Sequence, residues 1–195
     1  MDEETATTYA RMAQDYATMT AKSGDDPVLT AFIGGIPRGG HVLDLGCGPG
    51  VTAAAMARAG LRVDATDAVA EMVAMAATHP GVTAWQATFD DIAGDALYDG
   101  IWTNFSLLHA PRADMPRHLD ALRRALRPGG LFHIGMKTGT GERRDNLGRL
   151  YTYYTEEELC DLLRAAGLTA FSSTRGADKG LDGVVAPWVT IAAHG

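Results

Sequence analysis

The segment Val42–Gly50, VLDLGCGPG, is an apolar run of strand type that ends in three glycines. Glycines at the end of a buried strand either allow a tight turn or let a ligand come close to the backbone. The glycines form the pattern G-x-G-x-G. The dinucleotide-binding fingerprint G-x-G-x-x-G has its third glycine one position later, where this chain has Val51. The loop by itself leaves both interpretations open.

The composition indicates one folding unit. With 195 residues, 46% of them hydrophobic, the chain is long enough for one well-buried domain. Its 23 glycines and 8 prolines are spread along the sequence, so no low-complexity linker divides it. We therefore expect a single domain over residues 1–195. In it, residues 1–36 form N-terminal helices that could act as a lid, and residues 41–195 form the core.

Charge and targeting signals limit the partners. The formal net charge is −7, and an acidic chain without a long Lys/Arg stripe binds nucleic acid poorly, so a small molecule or a protein is the favoured partner. No apolar run approaches the roughly 20 residues of a membrane span, and the N-terminus MDEETATT is acidic, unlike a signal peptide. We expect a cytoplasmic protein without a membrane partner. Cys47 and Cys160 lie far apart in the sequence, which argues against a disulfide scaffold and against a metal site.

Strand and helix patterns alternate along the chain. Strands are expected at residues 41–45, 62–66, 82–88, 98–105 and 131–137. Helices are expected at residues 9–19, 27–34, 51–60, 69–79, 113–127 and 156–166. This order predicts βαβ units in a parallel sheet that has helices on both faces. Two late segments, residues 168–174 and 186–194, look like strands with no helix between them, which predicts an antiparallel pair.

Asp67 strengthens the ligand interpretation of the glycine loop. It follows the second expected strand, 19 positions after Gly48. A carboxylate about 20 residues after such a loop reaches ribose hydroxyls in dinucleotide-binding folds. It can accept two hydrogen bonds from a cis-diol, and charge-assisted bonds are the stronger kind. Ligands of parallel sheets bind beyond the carboxyl ends of the strands, where the glycine loop also lies.

Three separated segments carry a family resemblance: VLDLGCGPG at 42–50, VDATDAVAEMVAMA at 63–76 and LRRALRPGGLFHIG at 122–135. In this order they resemble the class I S-adenosylmethionine-dependent methyltransferases, of the small-molecule type with a minimal core. The resemblance implies an α/β fold with a doubly wound, mostly parallel, Rossmann-like sheet of seven strands. The final strand of that sheet is antiparallel, and helices cover both faces. The implied cofactor is S-adenosyl-L-methionine, bound by the core.

The resemblance also implies roles for individual residues. Asp44 stands where the family has an acid that orders the loop and reaches the amino-acid part of the cofactor. Asp67 matches the ribose-binding acid, and Met72 the apolar contact near the adenine. Thr88 stands where Asp is frequent, so the adenine amino group has Thr88, Asp90 or neither as its partner. The implied cofactor-binding residues are Asp44, Gly46, Cys47, Gly48, Gly50, Asp67, Ala68, Met72, Thr88, Phe89, Asp90, Asn104 and Phe105.

The sequence says less about the methyl acceptor. Asn104 begins NFSL, which lacks the two prolines of the motif in amine- and base-methylating relatives, so methylation of nucleic-acid bases and of glutamine is disfavoured. His109 is the candidate general base because the ordinary pKa of histidine lies near physiological pH. A histidine that caps a helix or bonds a carbonyl is the alternative. Tyr9 and Tyr16 are candidate substrate contacts, on a helix that either forms a lid over the cofactor or simply packs on the core.

The segment 137–155 combines arginines and tyrosines in a glycine-bearing loop that we expect to be mobile. Its position after the fifth strand suggests an anionic or aromatic acceptor with contacts from Arg143, Arg149 and Tyr153. The sequence thus predicts methyl transfer to O, N or S of a small molecule. A non-catalytic module that binds the cofactor is one alternative. A nicotinamide-dependent oxidoreductase is another, which Val51 and the antiparallel pair disfavour. The oligomeric state stays open.

Overall fold

A computed structural model describes residues 1–21 and 25–195 of the chain. The helices are α1 (Glu3–Arg11), α2 (Ala13–Thr20), α3 (Pro27–Gly35), α4 (Val51–Arg58), α5 (Ala70–Ala76), α6 (Met115–Ala125) and α7 (Glu156–Ala165). The strands are β1 (His41–Leu45), β2 (Arg62–Asp67), β3 (Val82–Gln86), β4 (Tyr98–Asn104), β5 (Leu126–Lys137), β6 (Glu142–Arg144), β7 (Leu150–Thr152), β8 (Thr169–Lys179) and β9 (Val185–His194). Among these described residues, no helix is long and apolar enough to cross a membrane.

The main sheet has seven strands in the order β3-β2-β1-β4-β5-β9-β8. The first five run parallel, and β9 lies antiparallel to both β5 and β8. The predicted sheet with its antiparallel final strand is therefore confirmed. The strand order reverses between β1 and β4, which are hydrogen-bonded neighbours. The loop after β1 lies at this switch point, where open α/β sheets bind their ligands.

Two hydrophobic cores lie on opposite faces of the sheet. On one face, Leu29 and Phe32 of α3 and Met56 of α4 pack on Val42 and Trp102. On the other face, the apolar stripes of α6 and α7 pack on alternate residues of β1, β4 and β5. Successive strand residues point to opposite faces, so within β1 Val42 packs in one core and Leu43 and Leu45 pack in the other. The prediction of helices on both faces is correct.

The N-terminal helix pattern was predicted as one helix, and this prediction is wrong. The backbone leaves the helical conformation at Met12, with φ −104° and ψ 18°, so α1 and α2 are separate helices. Because of this break, α1 and α2 contact different parts of the molecule. Helix α1 is hydrogen-bonded to the segment 147–150, whereas α2 brings Tyr16 over the glycine loop.

The end of α6 also differs from the prediction. The helix ends at Ala125 instead of continuing to residue 127, and Leu126 already pairs with Tyr98 in the sheet. Arg127 precedes Pro128, and the proline ring disfavours the helical conformation for the residue before it. The Pro-Gly-Gly segment therefore lies inside β5, at a register shift opposite β4.

The segment 137–155, expected to be a mobile loop, contains the antiparallel hairpin β6–β7. Tyr151, Tyr153 and Tyr154 are buried there, as is Arg149. Aromatic side chains next to arginine supply the apolar area and the charge pairing that order this segment. The expectation of mobility is thus wrong for the hairpin, because its aromatic residues belong to the core over α6 and α7.

Candidate active site

A cavity opens at the carboxyl ends of β1, β2 and β4, beside the glycine loop. Its walls come from the glycine loop, the start of α5, and the turns after β3 and β4. Helices α1 and α2 close it from the N-terminal side. The sequence-predicted residues that line it are Tyr9, Tyr16, Gly46, Gly48, Asp67, Ala68, Met72, Phe89, Phe105 and His109. The structure thus brings together most of the predicted cofactor site.

Two glycines keep side chains out of this cavity. Gly46 has φ +72°, and a Cβ atom there would lie 2.2 Å from the Cβ of Ser106. Gly48 has φ +53°, and a Cβ atom there would lie 3.2 Å from the ring of Tyr16. Both positions have the left-handed backbone that favours glycine. The loop therefore presents backbone, and not side chains, to the cavity.

Asp67 connects the end of β2 to the glycine loop. Its Oδ2 accepts the N–H of Gly48 at 2.9 Å, and its Oδ1 accepts the N–H of Val69 at 2.9 Å. Burial raises the pKa of this carboxyl, and the backbone N–H groups act in the opposite direction. Each carboxylate oxygen has a second lone pair, so Asp67 can still accept two hydrogen bonds from a diol in the cavity.

Asp44 ends β1 beneath the same loop. It is 2% exposed, and its Oδ2 accepts a hydrogen bond from Thr52 Oγ1 at 2.7 Å. Burial raises the pKa of Asp44 to about 7. The carboxyl lies behind the glycine loop, outside the residues that line the cavity.

Besides Asp44, five other predicted cofactor residues lie outside the lining of the cavity and have contacts elsewhere. The thiol of Cys47 faces the carbonyl of Gly48, and a Cβ atom on Gly50 would lie 2.7 Å from the backbone of Ala76 in α5. The remaining three have polar partners on neighbouring elements. Thr88 caps the turn Phe89–Asp91, Asp90 pairs with Arg117 at 2.7 Å, and Asn104 Oδ1 accepts from His133 Nε2 at 3.0 Å. These contacts give each residue a structural role, and their contact with cofactor stays a prediction.

His109 belongs to a buried hydrogen-bonded chain. Its Nδ1 lies 2.6 Å from the carbonyl oxygen of Leu150, and since a carbonyl only accepts, Nδ1 carries the proton. Its Nε2 therefore accepts from the hydroxyl of Tyr9 at 2.9 Å. Burial lowers the pKa of His109 to about 3, so the ring is neutral. Both ring nitrogens are used inside the protein.

Arg149 completes this chain of hydrogen bonds. Its Nη1 donates to the hydroxyl of Tyr9 at 2.9 Å, and its Nη2 pairs with Asp145 Oδ2 at 2.6 Å. Arg149 is 1% exposed. Its charge is compensated by Asp145 within the fold, as a buried guanidinium requires.

A second cavity, of about 280 Å³, adjoins the first. Both are lined by Tyr9, Tyr16 and Phe105, so these three rings stand between them. The far walls of the second cavity come from β5, β7 and the β8–β9 hairpin, and include Lys137 and Trp188. Arg149 also lines it, whereas Arg143 and Tyr153 line neither cavity. Instead, the guanidinium of the exposed Arg143 lies 3.8 Å from the ring centroid of Tyr153.

Sequence reasoning missed several cavity residues. Ser106 follows β4 and faces Gly46, and its only sequence signal is its place after a strand end. Lys137 is the last residue of β5, so the same rule of strand ends could have identified it. Trp188 could not have been found this way, because it lies in the antiparallel strand β9, whose position depends on tertiary pairing.

Comparison with known proteins finds similarity to methyltransferases. A family model described as "Methyltransferase domain" matches residues 42–130. The structure of the 1,6-didemethyltoxoflavin-N1-methyltransferase of Burkholderia thailandensis, solved with 1,6-didemethyltoxoflavin and S-adenosylhomocysteine, superposes with a TM-score of 0.80. It is 26% identical, and the match covers 98% of this chain and 87% of that one. Over residues 42–130 in sequence and over nearly the whole chain in structure, the chain is thus similar to S-adenosylmethionine-dependent methyltransferases.

Other similar proteins match a smaller part of the chain or match it at lower identity. The ubiquinone biosynthesis O-methyltransferase of Xylella fastidiosa (strain M23) is 34% identical over 103 residues, which are 49% of this chain and 41% of that protein. The chain thus spans about two fifths of the length of this curated relative. A methyltransferase of Methanosarcina mazei has a TM-score of 0.75 at 18% identity, covering 87% of this chain and 97% of that one, and shows the shared fold. These similarities favour a methyltransferase over the nicotinamide-dependent oxidoreductase.

Proposed function

We propose that this protein transfers the methyl group of S-adenosylmethionine to a small-molecule acceptor. The observation that carries the proposal is Asp67, which binds the N–H of Gly48 and lines the cavity beside the glycine loop. Gly46 and Gly48 form a cradle that a Cβ atom would fill. The acidic chain and the compact core favour a small acceptor over nucleic acid. We also propose that the protein works in the cytoplasm.

The residues of the first cavity suit the parts of the cofactor. The carboxylate of Asp67 would accept hydrogen bonds from the ribose hydroxyls, and Met72 and Phe89 would pack on the adenine. The backbone of Gly46 and Gly48 would lie under the amino-acid part, with Asp44 behind it. Bound S-adenosylmethionine supplies an electrophilic methyl group on a sulfonium. The protein then has to orient the acceptor and exclude water, and orientation alone can contribute roughly 7–11 kcal/mol.

His109 acts on Tyr9 in this proposal. The hydrogen bond from the Tyr9 hydroxyl to Nε2 positions that ring between the two cavities. The role of general base, which the sequence suggested for His109, stays a prediction. The low pKa of the ring and its occupied Nε2 weigh against that role.

Calorimetry with S-adenosylhomocysteine, the demethylated product, tests the cofactor site. We expect the wild-type protein to bind it and Asp67→Ala to bind about 10- to 100-fold more weakly, because hydrogen bonds to a charged group are worth roughly 1.5–3 kcal/mol. Asp120→Ala, an exposed acid on α6, is the matched control and should leave the affinity unchanged. Absence of binding to the wild-type protein would refute the proposal. A labelled methyl donor, offered with amines, phenols, carboxylates and thiols, then reports the acceptor class.

A further inference from the structure

The second cavity has the wall chemistry of a site for a flat ligand. Aromatic rings form its walls on several sides: Tyr16 and Phe105 toward the first cavity, Tyr151 from β7 and Trp188 from β9. The rings of Phe105 and Trp188 meet edge to face with centroids 6.0 Å apart. Aromatic walls bury large flat surfaces at low entropic cost, so they select planar ligands. Because Tyr9, Tyr16 and Phe105 line both cavities, a molecule in the second one lies next to the proposed cofactor site.

Lys137 gives this cavity a positive charge that no described carboxylate pairs with directly, although the carboxylate of Asp182 lies nearby. Lys137 is half-buried, and its Nζ lies 4.0 Å from the ring centroid of Tyr151. Among the described residues, no carboxylate comes within 4.0 Å of Nζ, and Nζ makes no hydrogen bond. A buried ammonium loses hydration, and an anion in the cavity would restore the lost interaction energy.

The other charged groups around the cavity are already engaged or lie at its edge. The guanidinium of Arg149 is paired with Asp145, and Asp178 Oδ2 accepts from Trp188 Nε1 at 2.6 Å. Asp182 Oδ1 accepts the N–H of Val184 at 3.1 Å in the β8–β9 turn. Lys179 is exposed at the edge of the cavity. Lys137 is therefore the cation best placed to pair with a ligand inside it.

The cavity lining also lacks a side chain suited to remove a proton from the acceptor. Among the described residues that line it, Asp178 is hydrogen-bonded to Trp188, and the tyrosines are phenols whose pKa burial raises. The neighbouring His109 has its Nε2 occupied by the Tyr9 hydroxyl. An acceptor whose nucleophile is already ionised needs no such base.

We propose that the acceptor is a planar organic acid that binds as its anion in the second cavity, with its negative charge paired to Lys137 Nζ. This inference rests on the proposed function. A lone pair of the ionised oxygen forms the new O–CH₃ bond while the methyl–sulfur bond breaks and its electron pair goes to sulfur. The sulfonium becomes a neutral thioether and the acceptor a neutral methyl ester or ether, so no proton is released to the protein. The product no longer carries the charge that pairs with Lys137, which favours its release.

Two probes of the same shape test the charge preference: 2-naphthoate and its neutral counterpart 2-naphthamide. Each is titrated calorimetrically into the protein with and without S-adenosylhomocysteine. We expect the wild-type protein to prefer naphthoate, and Lys137→Met to weaken naphthoate binding about tenfold or more while naphthamide binding stays the same. Lys137→Arg should restore the preference. Lys179→Met is the matched control and should change naphthoate binding less than about threefold, because exposed charges are screened.

Several results would overturn the inference. They are equal binding of the two probes by the wild-type protein, binding of neither probe, or a loss of naphthoate affinity in Lys179→Met as large as that in Lys137→Met. A neutral amine or thiol as the productive acceptor in the labelled-methyl screen would also overturn it. The affinity for S-adenosylhomocysteine is measured first in each variant. If the wild-type protein does not bind it, the proposed function fails. The titrations without S-adenosylhomocysteine still report whether the second cavity selects a planar anion.

Discussion

Two glycines with the same φ angle allow a comparison of two free-energy costs: that of a left-handed backbone and that of a steric contact. Gly39 and Gly46 both have φ +72°, but a Cβ atom on Gly39 meets nothing within 4 Å, whereas one on Gly46 meets Ser106. The left-handed conformation costs an alanine roughly 1–2 kcal/mol. We expect Gly39→Ala to lose about that much free energy of unfolding, and Gly46→Ala to lose more because the loop has to shift.

Urea unfolding of the two variants measures this difference, and calorimetry with S-adenosylhomocysteine measures its effect on the site. Gly46→Ala should also weaken binding, because Gly46 lines the first cavity, while Gly39→Ala should not. Equal losses of stability in the two variants would show that the close approach of Ser106 does not constrain the loop.

Asp44 makes the stability of the ligand-free protein depend on pH. Burial raises the pKa of its carboxyl to about 7, so the folded protein holds a proton that the unfolded chain releases near pH 4. The stabilising contribution is complete below pH 4 and is lost as the pH rises through about 7. Asp44→Asn removes this dependence. Relative to the wild type, the variant should gain free energy of unfolding between pH 5 and 7, by up to about 1.4 kcal/mol per pH unit.

The measurement is urea unfolding of both proteins from pH 5 to 8. Burial lowers the pKa values of His109 and His133 to about 3, so these two residues change the free energy of unfolding with pH in the opposite direction. Their contribution cancels when the wild-type value is subtracted from that of the variant. Asp91→Asn serves as the control, because hydrogen bonds from Thr88 lower the pKa of Asp91 and it titrates below this range. A flat difference for Asp44→Asn would mean that Asp44 is ionised in the folded protein at pH 5.

At the scale of single residues, sequence spacing predicted the position of the acid Asp67 better than it predicted the contacts of Arg149. Asp67 could be placed because a strand end and a glycine loop define its neighbourhood within 19 residues of sequence. Arg149 was expected to contact substrate, yet Asp145 engages it inside the fold. Whether an arginine is free depends on partners that only the folded hairpin brings together.

Among the elements, those with local signals were predicted well. Helix α7 begins where the capping box of Thr155 and Glu158 predicts, and both reciprocal hydrogen bonds are present. The hairpin β6–β7 was missed because its strands have three residues each and are stabilised by packing, not by an alternating pattern. Met12 was placed inside a helix because periodicity describes side chains and does not report a backbone break.

The pair of Asp145 and Arg149 holds this hairpin together. Asp145 accepts hydrogen bonds from the backbone of Leu147 and Arg149 in addition to the guanidinium. Removing one partner of a buried ion pair leaves an uncompensated charge, which costs about 3–5 kcal/mol. We expect a loss of this size in the free energy of unfolding of Asp145→Ala, measured with urea.

The chain offers a matched control in Arg164 and Asp161, a local pair whose side chains are 75% and 62% exposed. Asp161→Ala should cost less than about 1 kcal/mol. Combining Asp145→Ala with Arg149→Met removes the unpaired charge and should recover part of the loss. An equal cost for the two single variants would show that burial of the Asp145 pair adds nothing to its stabilising effect.

For the molecule as a whole, the N-terminal helices connect the two cavities to the β6–β7 hairpin. Helix α1 is held by Thr5 Oγ1, which accepts the N–H of Leu150 at 2.9 Å, and by Thr8 Oγ1, which donates to the carbonyl of Leu147 at 3.1 Å. Tyr9 and Tyr16 then reach over the glycine loop. Of the two alternatives that the sequence left open, the structure shows helices packed on the hairpin that also line the first cavity, and their role as a lid over the cofactor stays a prediction.

This arrangement predicts that loosening α1 speeds ligand exchange. Thr5→Val removes the acceptor for the Leu150 N–H, at a cost of about 1–3 kcal/mol for the unsatisfied group. We expect S-adenosylhomocysteine to dissociate several-fold faster from this variant in stopped-flow displacement, with a smaller change in its association rate. Thr18→Val is the control, since the exposed Thr18 bonds only within α2, to the carbonyl of Gln14 at 3.0 Å. If both variants release the ligand at the wild-type rate, α1 does not limit its exit.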